Sequence, residues 1–140
     1  MPILFYFNDT NFKINKVNKI KQWIKTVIEK EKYQIGKINY IFCNDAELLE
    51  INIKHLNHHT FTDIITFDYS EKTKINSDIF ISIERVTENA VIYSKSFEEE
   101  LHRVMIHGIL HLCGYKDKGH KNKLLMRKKE DESLEIGKFL

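Results

Sequence analysis

His107 and His111 stand four residues apart in "MIHGILHLCGYKDKGH" (105–120), a run that reads as helical up to Leu112. A helix turns once in about 3.6 residues, so the two imidazoles leave the same face, one turn apart. Two rings so placed can hold one side of a metal ion, as in helix-borne zinc sites. Gly114 can take the left-handed conformation that ends a helix in a sharp turn. That turn would carry the chain back toward the histidines, and two ligand-type residues lie beyond it, Asp117 and His120. Three protein ligands leave a coordination position open, the form of a catalytic rather than a structural site. The competing explanation is a pair of helix histidines engaged in structural hydrogen bonds.

The residue after His107 is Gly108, not Glu. Peptidases built on H-E-x-x-H need that Glu as general base, so a metallohydrolase acting on peptides or small molecules is disfavoured. Glycine inside a helix costs roughly 1 kcal/mol against alanine, which points to a close approach by a sheet backbone or a substrate. From Lys116 to Lys129 seven of fourteen residues are Lys or Arg, and only Asp117 is acidic. The run is either a solvated helix face or a footprint for a phosphate backbone, and its place directly after the histidines raises the second. Lys116, Lys118, Lys121 and Lys123 are the candidates there.

The elements that must position these residues follow from periodicity. Strands are expected at 3–7, 37–45, 62–70 and 78–83, with a polar loop at 71–77. Helices are expected at 16–31, 44–57, 84–95, 96–112 and from about 122 to 136. The first helix carries Val17, Ile20, Trp23, Ile24, Val27 and Ile28 at helical spacing. Asn44 or Asp45 would cap the second. Ser96 and Glu99 have capping-box spacing at the start of the histidine helix. Leu124, Leu125, Leu134 and Ile136 give the last helix its apolar side. The order β-α-β-α-β-β-α-α-α predicts an α/β (α+β) fold: one domain over residues 1–140, a small mixed sheet of about four strands and about five helices.

A chain of 140 residues with 42% hydrophobic content can bury one core. Its longest apolar runs are too short to span a bilayer, and "MPILFYFNDT" lacks the pattern of a signal peptide. Cys43 and Cys113 give no disulfide framework, so a reduced, cytoplasmic compartment is the simplest reading. The net charge of +2 decides little. Nothing in the sequence fixes an oligomeric state.

The segment "HGILHLCGYKD" resembles the signature of the YbeY family, H-G-x-L-H-L-x-G-Y-D-H. "TDIITFDY" is similar to that family's T-D-V-L-S-F strand and "SDIFIS" to its G-D-I-x-I-S strand, with order and spacing matching from about Asn39 to Glu135. The resemblance implies a zinc-dependent, single-strand-specific endoribonuclease with one zinc ion per chain. It implies a bacterial cytoplasmic protein that acts on rRNA of the small ribosomal subunit, in maturation of the 16S 3′ end and in ribosome quality control. It also implies a mixed, mainly parallel four-stranded sheet. His107 and His111 match the family's first two ligands. The third family position, six residues on, is Asp117 where the usual residue is His. Carboxylate is a competent zinc ligand, and His120 is the alternative. A harder ligand would shift preference toward manganese or iron. The family's Arg, seven residues before the strand Asp, falls on Leu56 here; Arg85 and Arg103 are candidates to replace it, against the plainer reading of surface ion pairs. Altered catalysis leaves a second reading, a ribosome-associated assembly factor whose metal is mainly structural.

Several residues carry smaller expectations. His55, His58 and His59 either line a loop beside the cleft, stay exposed, or form a second metal site. Asp63 and Thr62 brace the strand near the metal, with Asp63 a guess for the general base. Asp78 braces a turn and Ser82 faces the cleft. His102 is wrongly placed to join the ligands, while Cys113, Trp23 and the phenylalanines belong to the core.

Overall fold

The computed structural model describes residues 2–8, 10–57 and 62–138. Its elements run β1 (Ile3–Phe7), α1 (Val17–Lys30), β2 (Gln34–Cys43), α2 (Asp45–Leu56), β3 (Ile64–Asp68), β4 (Lys74–Ser82), α3 (Ile83–Ile92), α4 (Phe97–Leu112) and α5 (His120–Ile136). This is the order that periodicity predicts. The sheet has the strand order β1-β2-β4-β3. β1, β2 and β4 are parallel, and β3 runs antiparallel to β4 at the edge. The sheet is therefore mixed and mainly parallel, and the short connection between β3 and β4 is what makes it so.

Each face of the sheet has its own cover. On one face Ile38, Tyr40 and Phe42 of β2 and Ile75, Ile79 and Ile81 of β4 meet the apolar sides of α1 and α4. α1 buries Ile20, Trp23, Ile24, Val27 and Ile28, the stripe its spacing predicts. On the other face α2 lays Leu48 against Cys43 and Ile65, with Phe67 and Phe80 beside them. Burying one large apolar side chain is worth about 1.5–3 kcal/mol, so the larger layer under α1 and α4 dominates stability.

Two strands begin earlier than expected and one helix turns differently, for physical reasons. β4 begins at Lys74, inside the segment read as a loop. Its polar residues alternate outward while Ile75 and Ser77 point into the core, and Ser77 Oγ donates to the Phe67 carbonyl at 2.7 Å. β2 begins at Gln34, whose N–H donates to the Thr73 carbonyl at 2.8 Å and extends the ladder. α5 packs Leu134 and Ile136 against the core as expected but turns Leu124 and Leu125 out to solvent, with Met126, Glu130 and Ser133 buried instead. Ser133 is inward because its carbonyl accepts the Trp23 indole N–H at 2.8 Å. Ser82 does not face a cleft. It is fully buried, donates to Asp45 Oδ1 at 2.5 Å and caps α3 through the Arg85 N–H. Asp78 accepts from Asn39 Nδ2 at 2.9 Å between adjacent strands instead of bracing a turn.

Candidate metal centre

Helix α4 carries the histidines, and its start is fixed by a reciprocal cap. Ser96 Oγ accepts the Glu99 N–H at 3.1 Å, and the Ser96 N–H donates to Glu99 Oε1 at 3.0 Å. Glu98, Glu99 and Glu100 in the first turn complement the helix dipole. Gly108 then lets the helix lie close on the sheet. A Cβ there would stand 2.9 Å from Ile64 Cδ1 and 3.1 Å from Thr66 Cγ2, so side chains of β3 press on it rather than sheet backbone. His107 and His111 leave α4 beside that contact with ring centroids 4.6 Å apart and planes at 85°.

The end of α4 sets one of the two rings. Gly114, at φ 100°, sits where the chain reverses. The Tyr115 N–H donates to the Leu110 carbonyl at 3.1 Å and the Gly114 N–H to the His111 carbonyl at 3.0 Å, a Schellman stop. The reversal turns the Tyr115 carbonyl onto His111 Nδ1 at 2.9 Å. A carbonyl only accepts, so Nδ1 carries the proton and Nε2 keeps its lone pair. The Tyr115 hydroxyl donates to Glu31 Oε1 at 2.5 Å, next to the end of α1, which ties the turn to the far side of the core.

His107 is held from another direction. Its Nδ1 meets Glu130 Oε2 at 2.6 Å, and Glu130 Oε1 accepts from Arg103 at 2.7 Å. Arg103 also pairs with Asp131 at 2.7 Å. Burial opposes charge on both partners. For His107 the Glu130 bond outweighs it and holds the imidazole above its ordinary pKa; for Glu130 the bonds to His107 and Arg103 hold the carboxyl below its own. Nothing in the periodicity reading found Glu130. The signal was available in α5: taking Met126, Glu130 and Ser133 as the inner stripe exposes a glutamate that must be buried and therefore paired.

Asp117 completes the group. Its Oδ2 lies 3.2 Å from His111 Nε2 and 3.4 Å from His107 Nε2, and all three donor atoms fall within 4.8 Å of one another. Donors on a tetrahedral ion with bonds of about 2.0–2.1 Å are about 3.3–3.4 Å apart. With both Nδ1 protons already committed, three lone pairs face one another, an arrangement that repels itself unless a proton or cation lies among them. The donor set thus fits a small divalent ion. His120 is exposed at the first turn of α5 and outside this group.

The group lies where two clefts meet. One, of about 630 Å³, runs between α3, α4 and α5 and is lined by Lys95, Arg103, Lys123 and Arg127 as well as His107 and Asp117. The other, of about 480 Å³, is lined by Asn52 and Leu56 of α2, the start of β3, and both histidines. Asp63 borders both, and burial raises its carboxyl pKa, as it does for Glu100 deeper in the first cleft. Lys116, Lys118 and Lys121 are exposed and line neither cleft, nor does Arg85, which pairs with Asp45 at 2.8 Å and Glu88 at 2.7 Å. Among the named candidate cations only Lys123 and Arg103 line a cleft; Arg127, from the same basic run, joins them, and Lys95 does so unforeseen. Leu56, at the position of the family's Arg, is a wall of the second cleft, which no Lys or Arg lines among the described residues. His102 packs edge-on to Trp23, away from the donors. His55 packs edge-on to Phe67, and His58 and His59 lie outside the described residues.

Comparison with known proteins agrees over nearly the whole chain. The family described as Endoribonuclease YbeY matches residues 5–137. A protein of Cytophaga hutchinsonii named Endoribonuclease YbeY is 51% identical over 138 residues, covering 98% of this chain and 96% of the relative. The protein of that name from Flavobacterium psychrophilum is 55% identical over 128 residues, 91% of each chain. Among solved structures, the solution structure of TM1509 from Thermotoga maritima superposes with a TM-score of 0.66 at 27% identity. That superposition covers 96% of this chain and 88% of the other.

Proposed function

The chain belongs to the YbeY family of endoribonucleases, and from that premise we propose that it cleaves single-stranded RNA with one zinc ion per chain. The observation that carries the reading is the convergence of His107, His111 and Asp117 at the junction of two open clefts. His107, His111 and Asp117 would hold the zinc ion, which when bound would supply Lewis acidity toward a scissile phosphate. The chain's own residues do the rest. Glu130 and the Tyr115 carbonyl hold the two Nδ1 protons and so aim both Nε2 lone pairs inward. Arg103 steadies Glu130. Lys123 and Arg127 offset phosphate charge in the first cleft. Asp63 borders both clefts and burial raises its carboxyl pKa, which suits a group that takes up and returns a proton.

The wider role proposed is maturation of the 16S rRNA 3′ end and quality control on the small ribosomal subunit, in the cytoplasm. No helix among the described residues is long and apolar enough to cross a membrane. A second reading, an assembly factor with a structural metal and little cleavage, is favoured by one observation: Leu56 leaves the second cleft without a cation.

Metal content and cleavage separate the two. Wild-type protein is expected to retain about one zinc per chain, to lose it with Asp117→Ala and to keep it with His120→Ala. His107→Ala is expected to abolish cleavage of a single-stranded RNA while melting stays cooperative. Loss of the melting transition on metal removal, with no cleavage by the loaded protein, would establish the assembly reading instead. Wild-type protein that takes up no metal when zinc is supplied would end the enzymatic reading.

A further inference from the structure

Tyr93 is a large aromatic side chain left 58% exposed on the wall of the cleft that holds His107 and Asp117. It caps the C-terminus of α3, and the backbone around it is fixed. The Lys95 N–H donates to the Ala90 carbonyl at 2.9 Å and the Ser94 N–H to the Val91 carbonyl at 3.2 Å, with Ser94 in the left-handed region at φ 55°. This second Schellman stop puts Tyr93 and Lys95 together on the cleft. Its hydroxyl makes no hydrogen bond among the described residues, and its ring takes no part in the aromatic pairs of the core. Lys95, Lys123 and Arg127 form no direct ion pair among the described residues, though the charge of Arg127 acts on Glu100 in the same cleft, whereas Arg103 is held by Glu130 and Asp131.

A solvent-facing ring beside free cations, opening toward a phosphate-cleaving group, has the composition of a single-strand nucleic-acid track. Such tracks combine cations for the backbone with aromatic faces on which bases stack, and stacking tolerates any sequence because every base offers a π face. We propose that Tyr93 is the stacking platform for one nucleobase of the RNA substrate and thereby sets the preference for unpaired RNA. The inference rests on the endoribonuclease reading above and assigns it a specificity-determining residue. Bases in a duplex are already stacked on their neighbours and have no face to give, so the platform discriminates without reading sequence. Lys95, Lys123 and Arg127 hold the flanking phosphates, and the stacked base fixes which phosphate reaches the donor group.

The test uses the full chain with a short mixed-sequence oligoribonucleotide carrying 2-aminopurine, whose fluorescence falls on stacking. Binding is measured on metal-stripped protein to prevent cleavage, and turnover on the zinc-loaded protein. Tyr93→Ala is expected to weaken single-strand binding on the order of tenfold, toward the lower end of what base–aromatic stacking contributes. It should remove the quenching and raise KM with little change in kcat. Tyr93→Phe should restore all three. The salt dependence of binding should be the same in Tyr93→Ala as in wild type, because no phosphate contact is lost, whereas Lys123→Ala should flatten it by about 0.7 in log–log slope. Binding of a duplex of the same sequence should not change with Tyr93→Ala. Equal binding and quenching by wild type and Tyr93→Ala, or a Phe variant as weak as Ala, would overturn the platform while leaving the nuclease reading intact. Absence of single-strand binding by wild type would overturn the nuclease reading and the platform with it.

Discussion

Helices α3 and α4 end in the same six-residue hydrogen-bonded stop, and the two stops serve opposite ends. At α4 the turn runs inward. Gly114 reverses the chain, Tyr115 is clamped by its hydroxyl to Glu31, and its carbonyl holds a ring of the donor group. At α3 the turn runs outward. Ser94 takes the reversal position, and Tyr93 stays exposed with its hydroxyl free among the described residues. The backbone code is shared, but Tyr93 precedes its reversal and Tyr115 follows its own, so position in the turn and what stands opposite it together set the difference. The end of α1 offers Glu31 to one; the other faces open cleft. A local motif fixes where a side chain emerges, and the tertiary neighbours decide whether that side chain is consumed in holding the fold or left for a ligand.

The largest effect should come from the grip on the inward side. Glu130→Gln is isosteric but cannot hold both Arg103 and the His107 N–H as a charged acceptor. Loss of such a partner typically costs 10- to 100-fold in metal affinity. Competition with a chromogenic chelator measures this, and unchanged affinity would mean that His107 is oriented by its helix alone. Next in size is Gly114→Ala. The nearest atom to an added Cβ would be Tyr33 Oη at 3.9 Å, so there is room, and the cost is conformational, about 1–2 kcal/mol for a left-handed non-glycine residue. Cys113, the last residue before that glycine, reports on the turn. Burial pushes its thiol up to about 12, as it does for Cys43, so both should resist iodoacetamide in the native protein near pH 8. Gly114→Ala should speed alkylation of Cys113 and not of Cys43; equal rates would show global rather than local opening. The smallest effect is expected at the outward stop. Ser94→Gly relieves a left-handed serine and should stabilise by up to about 1 kcal/mol in urea melts, less what the glycine gives back in unfolded-state entropy. Destabilisation there would mean that the Ser94 side chain does work in the turn.

Much of this is legible in the sequence because it is local. The histidine pair, the Ser96–Glu99 cap and the reversal at Gly114 each lie within six residues and follow from helix geometry. The order of the nine elements among the described residues follows from periodicity in the same way. What escapes is set by distant partners. Lys74–Ser77 reads as loop because its polar residues alternate with few apolar ones, and only pairing with β2 and β3 makes it strand. Leu124 and Leu125 read as the inner side of α5 because they are its most apolar pair. Yet Trp23, Arg103 and His107 hold Ser133 and Glu130 inward and rotate the leucines to the surface. Propensity and hydrophobicity yield there to specific hydrogen bonds whose partners lie at least 23 positions away. The basic run is legible as composition but not as address, since only part of it turns toward a cleft.

The bond between His107 and Glu130 has a consequence in time as well as in space. All three donor residues have been synthesised by position 117, but the acceptor that aims the His107 ring is not made until position 130 and is not delivered until α5 packs on α4. A chain growing from its N-terminus therefore carries the donors before it can grip them. Fixing the His107 ring is thus a late event in folding, complete only when α5 packs on α4 and brings Glu130 within 2.6 Å of Nδ1.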